Sequence, residues 1–353
     1  MIASQRFEFS AAHSLPRARA EREWHLHGHN YELWVAVHGE PDAAELKRIV
    51  AGVLERYDNR LLDKVIASES GPTVEAVAEA LWADLAPLIE PSWLARVRLA
   101  EDGGPAAEVT ETGTRTLIAG LFPAAHRTHI PTYSDEANRE LFGICNNPAG
   151  HGHNYRIIVE SEAASEVAAE AVREALAEFD HRNLSADIAD LAGRNVTTEA
   201  LARLLWGRLA RRLPNEGALR RVRVYELPDF FAETTSQAAA LGRVYIFAAA
   251  HQPGSTADVT GHTYRVEVTV SGNIDEETNL LMNLADLDRL AWGAVGPLDG
   301  RCLDEDIDYF KGGSTTGGDV LAYLWRELFA QFGTSLARVG LSETRNSCFE
   351  IET

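Results

Sequence analysis

The chain has 353 residues and a formal net charge of −20, with 33 basic and 53 acidic side chains. This excess of negative charge argues against a nucleic-acid partner, because phosphate backbones require a basic surface. The three cysteines lie far apart and predict a reducing compartment. No signal peptide opens the chain and no apolar run reaches about 18 residues, so we expect a cytoplasmic protein without a membrane partner.

Four sequence marks recur three times in the same order, which indicates a tandem repeat. The predicted units cover 1–116, 117–238 and 239–353, and each is long enough to form a core of its own. The marks are His13, His126 and His251; the pentapeptides that begin at His27, His151 and Thr260; Asp58, Asp180 and Asp299; and Glu101, Glu226 and Glu343.

The first unit predicts the order strand, strand, helix, helix, strand, strand. Its strands are expected over 2–10, 31–38, 96–101 and 107–110, and its first helix over 46–57. The second helix is capped by Thr73 and stopped by Pro91. Its apolar residues recur at helical spacing and predict a core-facing stripe. The stripe consists of Val74, Val77, Ala78, Leu81, Leu85 and Leu88.

The second and third units repeat this order, so the fold class is α+β. The joints over 112–119 and 234–241 are too short for freely tumbling domains, and exposed sheet edges favour pairing between units. In unit two the strands are predicted over 120–125, 155–160, 221–226 and 230–233, with helices over 165–179 and 198–213. In unit three the strands are predicted over 243–248, 264–271, 337–342 and 348–352, with helices over 284–292 and 316–332. The last helix has a core stripe of Leu321, Leu324, Trp325, Leu328 and Phe332.

Unit two contains the strongest candidate site. His151 and His153 lead into a strand, where residues i and i+2 point to the same face. A third imidazole from a paired strand, His126, would complete a three-nitrogen zinc site with an open fourth position, as in catalytic zinc centres. Cys145 precedes the pair and could reach a molecule bound there, although most lone cysteines are inert buried thiols.

Two further features of unit two are weaker signals on their own. Asp180 and His181 follow the first helix and could form a carboxylate–imidazole pair. A histidine at a helix C-terminus is also favoured by the helix dipole, so the pair alone does not establish chemistry. Glu226 ends a strand and would otherwise pass as a solvated acid.

Unit two resembles the 6-pyruvoyl-tetrahydropterin synthase family from end to end. The most specific segment is 134–155, which contains Cys-Asn-Asn-Pro and then His-Gly-His-Asn-Tyr. The segments 179–184, 197–199 and 224–226 match the same family, and units one and three resemble it more loosely. The resemblance therefore covers nearly the whole chain.

The resemblance implies the tunnelling fold, in which three such units form a β-barrel with helices outside; here the trimer would be intramolecular. It implies 7,8-dihydroneopterin triphosphate as substrate and loss of triphosphate. Zinc would lie on His126, His151 and His153. Cys145 would act as general base, assisted by Asp180 and His181. The pterin ring would be held by Glu226, with Thr197, Thr198 and Glu199 nearby.

Units one and three depart from the family pattern. Unit one keeps His13, His27 and His29, a possible second zinc site, but has Glu21 or Glu23 in place of the cysteine and Asn59 in place of the dyad imidazole. A divergent activity there stays open. Unit three has Thr260 and Gly300 at the two histidine positions, so we expect it to be metal-free.

The resemblance leaves three questions open. Sites in this family lie between subunits, so the metal of unit two could face Glu101 or Glu343 instead of Glu226. The Asp-His pair could come from another unit or from a second chain, since two trimers often stack. The activity could be that of a 6-carboxy-tetrahydropterin synthase, although such relatives usually space the cysteine closer to the histidines. A non-catalytic pterin- or zinc-binding scaffold is the rival from another class.

Overall fold

The structure is a computed structural model that describes residues 1–90, 93–254, 258–312 and 315–353. Unit one contains β1 (Ile2–His13), β2 (His27–His38), α1 (Ala43–Leu54), β3 (Arg60–Leu61), α2 (Val74–Leu85), β4 (Leu94–Glu101) and β5 (Ala106–Thr110). Unit two contains β6 (Gly113–His126), α3 (Asp135–Phe142), β7 (His151–Ser161), α4 (Ser165–Leu176), β8 (Arg182–Asn183), α5 (Leu184–Asp187), α6 (Thr198–Ala210), β9 (Leu219–Leu227) and β10 (Phe230–Thr234). Unit three contains β11 (Ala239–His251), β12 (Thr260–Gly272), α7 (Leu284–Val295), β13 (Arg301–Cys302), α8 (Leu303–Asp306), α9 (Gly317–Phe332), β14 (Leu336–Thr344) and β15 (Ser347–Glu352).

Twelve antiparallel strands close into one barrel, as the fold class predicted. The joints between units are hairpins, because β5 pairs with β6 and β10 pairs with β11. The last strand, β15, returns to pair with β1 and closes the sheet. The short strands β3, β8 and β13 lie beside β1, β6 and β11 in parallel, outside the closed path. Closure leaves none of the twelve strands with an unpaired edge.

The hydrophobic core lies between one face of the sheet and the helices. Both predicted helical stripes are packed against it, with one exception. Leu88 is 56% exposed because α2 ends at Leu85, so Leu88 lies in the following turn and not on the helix face. Thr73 caps α2 as predicted, its hydroxyl accepting a hydrogen bond from the Ala76 N–H. Pro91, expected to stop this helix, lies outside the described residues.

Several predicted boundaries shift by a few residues for local reasons. The first helix begins at Ala43 and not at 46, because the Asp42 side chain caps it by accepting hydrogen bonds from two backbone N–H groups. In unit two the helix predicted over 165–179 is α4, which ends at Leu176. The chain then turns, and His181 adopts a positive φ of 56°.

An aromatic pair in each unit fixes the register of its first two strands. The rings stack within 13 to 16° of parallel in units one and two, and the pairs are buried. Stacked cross-strand aromatics of this kind hold neighbouring strands in one alignment. The histidines of each unit therefore lie at a defined position, a few residues from the aromatic pair along the same two strands. The pairs are Phe9–Tyr31, Phe122–Tyr155 and Phe247–Tyr264.

The barrel interior is lined by ion pairs that cross the seams between units. Arg96 of β4 reaches Glu350 of β15 at 2.8 Å, although β2 and β1 lie between these strands in the sheet. Contact between non-adjacent strands places these side chains inside the closed barrel, on the face opposite the helices. Arg338 of unit three likewise meets Glu233 of unit two at 3.2 Å.

Candidate metal centre

Three histidines of unit two converge where β6 ends and β7 begins. His126 and His151 are a cross-strand pair, and the ring centroids of the triad lie 4.5 to 5.2 Å apart. The Nδ1 atom of His126 lies 2.9 Å from the Val196 carbonyl oxygen, which orients its Nε2 atom toward the other two rings. The predicted metal triad is therefore brought together by the register of one strand pair.

The free nitrogens of this triad fit a cation. The Nε2 atoms of His126 and His153, and both ring nitrogens of His151, are buried without a hydrogen-bond partner among the described residues. Burial first, and then the neighbouring imidazoles, lowers the pKa of His151; burial also lowers the pKa of His153. Neutral imidazoles with unpartnered nitrogens are the form in which histidine binds metal.

Glu226 of the same unit faces the triad. Its Oε1 atom lies 3.3 Å from His153 Nε2 and 3.8 Å from His126 Nε2. The Thr198 hydroxyl donates a short hydrogen bond to Glu226 Oε2 and so fixes the carboxylate. Of the three acids left open by the sequence, the structure therefore brings Glu226 to the triad of unit two.

Cys145 lies in a 3-10 turn that follows α3, close enough to this cluster for its thiol to interact with the charge of Glu226. Its carbonyl accepts a hydrogen bond from the Thr128 N–H at 3.1 Å. The thiol is half-buried; burial first and then the charge of Glu226 raise its pKa. The thiol is therefore within electrostatic reach of Glu226 and protonated at neutral pH in the absence of a nearby cation.

A helix that the sequence analysis did not predict holds Cys145 in place. Ser134 caps α3, and its hydroxyl accepts from the Ala137 N–H at 3.1 Å. The fully buried Asn138 side chain binds both the N–H and the carbonyl of Ile130, tying α3 to the loop that follows β6. The signal was present in the sequence, since Ser134 is followed by Asp and Glu at the first helical positions.

The remaining predicted residues lie at the N-terminus of α6. Thr197 caps this helix by accepting from the Ala200 N–H at 3.1 Å. Glu199 is almost fully buried, and burial raises its pKa to about 7. Its Oε1 atom accepts from the N–H of Leu281, a residue of unit three, at 3.1 Å. Together with Thr198 and Glu226, these groups form a polar cluster next to the histidine triad.

A connection of unit three that was not predicted from the sequence covers this polar cluster. The chain between β12 and α7 spans 273–283, whereas the corresponding connections span 39–42 in unit one and 162–164 in unit two. Its Asn279, which is buried at a φ of 56°, accepts at its carbonyl from the Thr197 hydroxyl at 2.7 Å. Its side chain donates to the Asn195 carbonyl at 3.0 Å. No local sequence signal pairs these segments, because the contact depends on packing between units.

Asp180 and His181 make no direct contact with the triad of their own unit among the described residues, although His181 and His153 line one surface cavity. His181 Nδ1 lies 3.0 Å from Asp180 Oδ1, but the imidazole is 79% exposed, and among the described contacts neither side chain touches the triad or Cys145. The counterparts Asp58 and Asp299 each accept a backbone N–H from the first strand of their unit. Pro123 stands at that place in unit two and has no N–H to donate, which leaves Asp180 free to hold His181.

Unit one gathers the same three imidazoles. His13 Nε2 lies 3.1 Å from His27 Nε2, and His29 completes a cluster whose donor atoms lie within 4.8 Å of one another. Glu23 rather than Glu21 stands where unit two has Cys145, because its carbonyl accepts from the Leu15 N–H as that of Cys145 accepts from Thr128. Burial and two nearby acids raise the pKa of Glu101 to about 7.

Unit three presents a different set of donors. His251 faces Thr260 across the strand pair, so the third imidazole is missing as predicted. His251, His262 and Glu343 nevertheless place one donor atom each within 4.8 Å of the others. A carboxylate donor from Glu343 was not predicted for this group, because the expectation of a metal-free unit rested on the number of imidazoles.

Comparison with known proteins identifies the family. The family model described as 6-pyruvoyl tetrahydropterin synthase matches residues 2–112, 118–237 and 245–353. The chain therefore belongs to the 6-pyruvoyl tetrahydropterin synthase family and contains three copies of its domain.

Individual relatives match about one unit each. The human 6-pyruvoyl tetrahydrobiopterin synthase is 40% identical over 133 residues, which cover 33% of this chain and 91% of the human protein. A putative 6-carboxy-5,6,7,8-tetrahydropterin synthase of Archaeoglobus fulgidus is 33% identical over 108 residues, which cover 30% of this chain and 88% of that protein. The structure of the Caenorhabditis elegans 6-pyruvoyl tetrahydropterin synthase is 28% identical, with a TM-score of 0.33, over 35% of this chain and 95% of that chain.

These matches support a synthase-type function in tetrahydropterin biosynthesis. Among the helices of the described residues, none is both long and apolar enough to cross a membrane.

Proposed function

We propose that the chain is a zinc-dependent lyase of the 6-pyruvoyl-tetrahydropterin synthase type, which converts 7,8-dihydroneopterin triphosphate with loss of triphosphate. The observation that carries this proposal is the convergence of three imidazoles, each with a buried nitrogen that has no hydrogen-bond partner among the described residues, beside Glu226. The Cys145 thiol lies within electrostatic reach of that carboxylate. A neutral three-histidine set with an open position suits Zn²⁺, and the Glu226 carboxylate with its Thr198 partner lies beside it.

His126, His151 and His153 would hold the zinc ion. When bound, such an ion stabilises negative charge that develops on substrate oxygens at neutral pH. A bound cation would also favour the thiolate form of Cys145, against the burial that raises its pKa in the protein alone. Cys145 would then take a proton from the substrate side chain as general base.

The pterin ring would be held by the polar pocket at the N-terminus of α6. The Glu226 carboxylate matches the paired N–H donors of a guanidine-like ring edge, and a charge-assisted pair is stronger than a neutral one. Thr198 holds this carboxylate, while Thr197 and Glu199 connect the pocket to unit three.

The dyad would act across an interface between two copies of the chain. Its exposed position in the structure matches this role, since Asp180 and His181 have no contact with their own triad among the described residues. Large apolar side chains also lie exposed at the histidine end of each unit, which favours burial against a second copy. They are Leu26, which precedes His27; Ile144, which precedes Cys145 and is 90% exposed; and Val259, which precedes Thr260.

A second zinc site in unit one is part of the same proposal. His13, His27 and His29 offer the same neutral donors, and burial lowers the pKa of His13 and of His29. Glu23 replaces the thiol there, so this site would not perform the same base chemistry. The cytoplasmic location and the absence of a nucleic-acid partner stay predictions.

Product analysis after incubation with 7,8-dihydroneopterin triphosphate tests the proposal. We expect a 6-pyruvoyl product by mass spectrometry; a 6-carboxy product would favour the alternative suggested by the Archaeoglobus fulgidus relative. The Cys145→Ala variant should retain its zinc and lose turnover by about 100-fold or more, since it lacks the base. A parent chain that binds zinc and pterin but forms neither product would support a non-catalytic scaffold.

A further inference from the structure

Unit three has lost the pterin pocket but not its cavity. Gly317 and Gly318 stand where unit two has Thr198 and Glu199 at the start of the helix. A Cβ atom on Gly317 would lie 2.2 Å from the Phe349 ring, and one on Gly318 would lie 2.3 Å from Glu40 Oε2. The glycines therefore leave room for the Phe349 ring and the Glu40 carboxylate, which take the space that side chains would fill at these two helix positions.

This exchange leaves Glu343 without the partner that fixes its counterpart in unit two. There, the Thr198 hydroxyl holds Glu226, whereas Gly317 has no side chain to offer Glu343. Among the described residues, the groups within ion-pair distance of the Glu343 carboxylate are the two imidazoles. Its Oε1 atom lies 3.6 Å from His251 Nε2 and 3.9 Å from His262 Nε2.

Buried polar atoms in the same cavity also lack partners. His251 is 1% exposed, and its Nε2 atom has no hydrogen-bond partner among the described residues. The Gln5 Oε1 atom, from unit one, is likewise buried and unpartnered. Both residues line a cavity of about 250 Å³ together with His262 and Glu343. Unpartnered buried atoms around a cavity indicate a ligand that the protein atoms do not replace.

We infer that His251, His262 and Glu343 form a third metal site, for a divalent first-row transition ion such as Zn²⁺, at the seam between units three and one. Two imidazoles and a carboxylate are an established donor set for such ions, and it leaves further coordination positions open toward the cavity. The His251 Nδ1 atom faces the Thr315 carbonyl oxygen, which directs the lone pair of Nε2 into the site. This inference does not depend on the reaction proposed for unit two.

Metal content of the full-length chain tests the site directly. The variant His13→Ala, His27→Ala, His126→Ala, His151→Ala leaves a single imidazole in each of the other two clusters and keeps all three donors of unit three. After chelation, exposure to excess Zn²⁺ and desalting, elemental analysis should find about one zinc ion per chain. Adding Glu343→Gln should lower this to near zero, and adding Thr260→His to that variant should restore it, because the third imidazole then replaces the carboxylate.

A single substitution in the otherwise unchanged chain tests the same site even if the multiple variant does not fold. Glu343→Gln should remove about one zinc ion per chain, while Glu101→Gln, at the matched position of unit one, should remove none because Glu101 is not part of its donor cluster. The inference is overturned if Glu343→Gln leaves the zinc content unchanged, or if the multiple variant keeps the circular dichroism of the parent and binds no zinc.

Discussion

At the scale of single residues, a backbone carbonyl beside each strand-end histidine decides which nitrogen is free. A carbonyl oxygen accepts a hydrogen bond from Nδ1–H, so Nε2 is the nitrogen that carries the lone pair. The same arrangement occurs in all three units, and it aims one donor atom into each cluster before any metal binds. The pairs are His13 with Pro72, His126 with Val196, and His251 with Thr315.

Glu199 gives a prediction about pH and stability. Burial raises its pKa from 4.5 to about 7, so folding favours the protonated form. The cost of ionising it in the fold is absent below about pH 4.5, grows as the pH rises to about 7, and is constant above that. Glu199→Gln removes this cost, so its midpoint of thermal unfolding should exceed that of the parent at pH 8 and equal it near pH 4.5.

The shift in pKa corresponds to at most ~3 kcal/mol at pH 8. The measurement is differential scanning calorimetry at both pH values, with Thr198→Ser as a control that keeps the hydroxyl donor and should show no pH-dependent difference. An unfolding midpoint for Glu199→Gln that differs from the parent by the same amount at both pH values would show that ionisation of this carboxyl is not the cause.

The residues of the metal triad could be predicted from sequence because the information is local. Residues i and i+2 of one strand share a face, and His126, which recurs as His13 and His251 in the other units, supplied the third histidine. The partner of the triad could not be predicted. Glu226, Glu101 and Glu343 end equivalent strands, and the choice among them depends on the three-dimensional register of β7 and β9. Glu343 was overlooked as a donor because its pairing with His251 becomes visible only in the structure.

At the scale of elements, the seam between units two and three depends on a close contact between β10 and β11. Gly242 pairs with Phe231, and a Cβ atom on Gly242 would lie 2.1 Å from the Phe231 ring. Gly242→Ala should therefore destabilise the protein by about 1–3 kcal/mol, because the fully buried ring has no space to move. Thermal unfolding should show a midpoint lowered by several degrees.

Gly340→Ala is the matched control for this substitution. It lies in β14, and its added Cβ atom would meet Glu267 at 3.7 Å, an ordinary contact. The same substitution at an unstrained position restricts the unfolded chain and should be neutral or slightly stabilising. Equal thermal unfolding midpoints for Gly242→Ala and Gly340→Ala would show that the close contact with Phe231 does not destabilise the Gly242→Ala variant.

The helices and strands were predicted well where the apolar residues recur at a strong helical or strand spacing. They were predicted poorly where contacts between units determine the local structure. The core stripe of α2 was correct up to Leu85, and Leu88 failed because the helix ends earlier than its apolar pattern. Helix α3 had a capping signal in Ser134 that was not used. The connection over 273–283 carries no such signal, since its function as a wall of the neighbouring pocket arises from the barrel.

At the scale of the whole molecule, the barrel closes within one chain, so the three units can diverge. Unit two keeps the thiol and the imidazole dyad, unit one keeps a triad with Glu23, and unit three keeps a cavity and supplies the pocket wall of its neighbour. In a barrel of three identical chains, each substitution would appear three times. The covalent repeat therefore allows one polar cluster to be assembled from two unlike units.

The proposed interface between two chains predicts complementation. Cys145→Ala and His181→Ala should each be inactive alone, but a mixture allowed to exchange subunits should regain roughly a quarter of the parental turnover. Half of the dimers would be mixed, and each of these has one site with both groups. Turnover of 7,8-dihydroneopterin triphosphate is the readout. A mixture that stays inactive despite proven exchange would show that the dyad does not act across chains.

The most direct test of the central claim compares two double variants of the histidine triads. The claim is that the unit-two triad is the catalytic metal centre. His151→Ala with His153→Ala should abolish product formation from 7,8-dihydroneopterin triphosphate and lower the zinc content. His27→Ala with His29→Ala should lower the zinc content equally and leave product formation close to that of the parent. Loss of product in the unit-one variant, with turnover retained in the unit-two variant, would contradict the account.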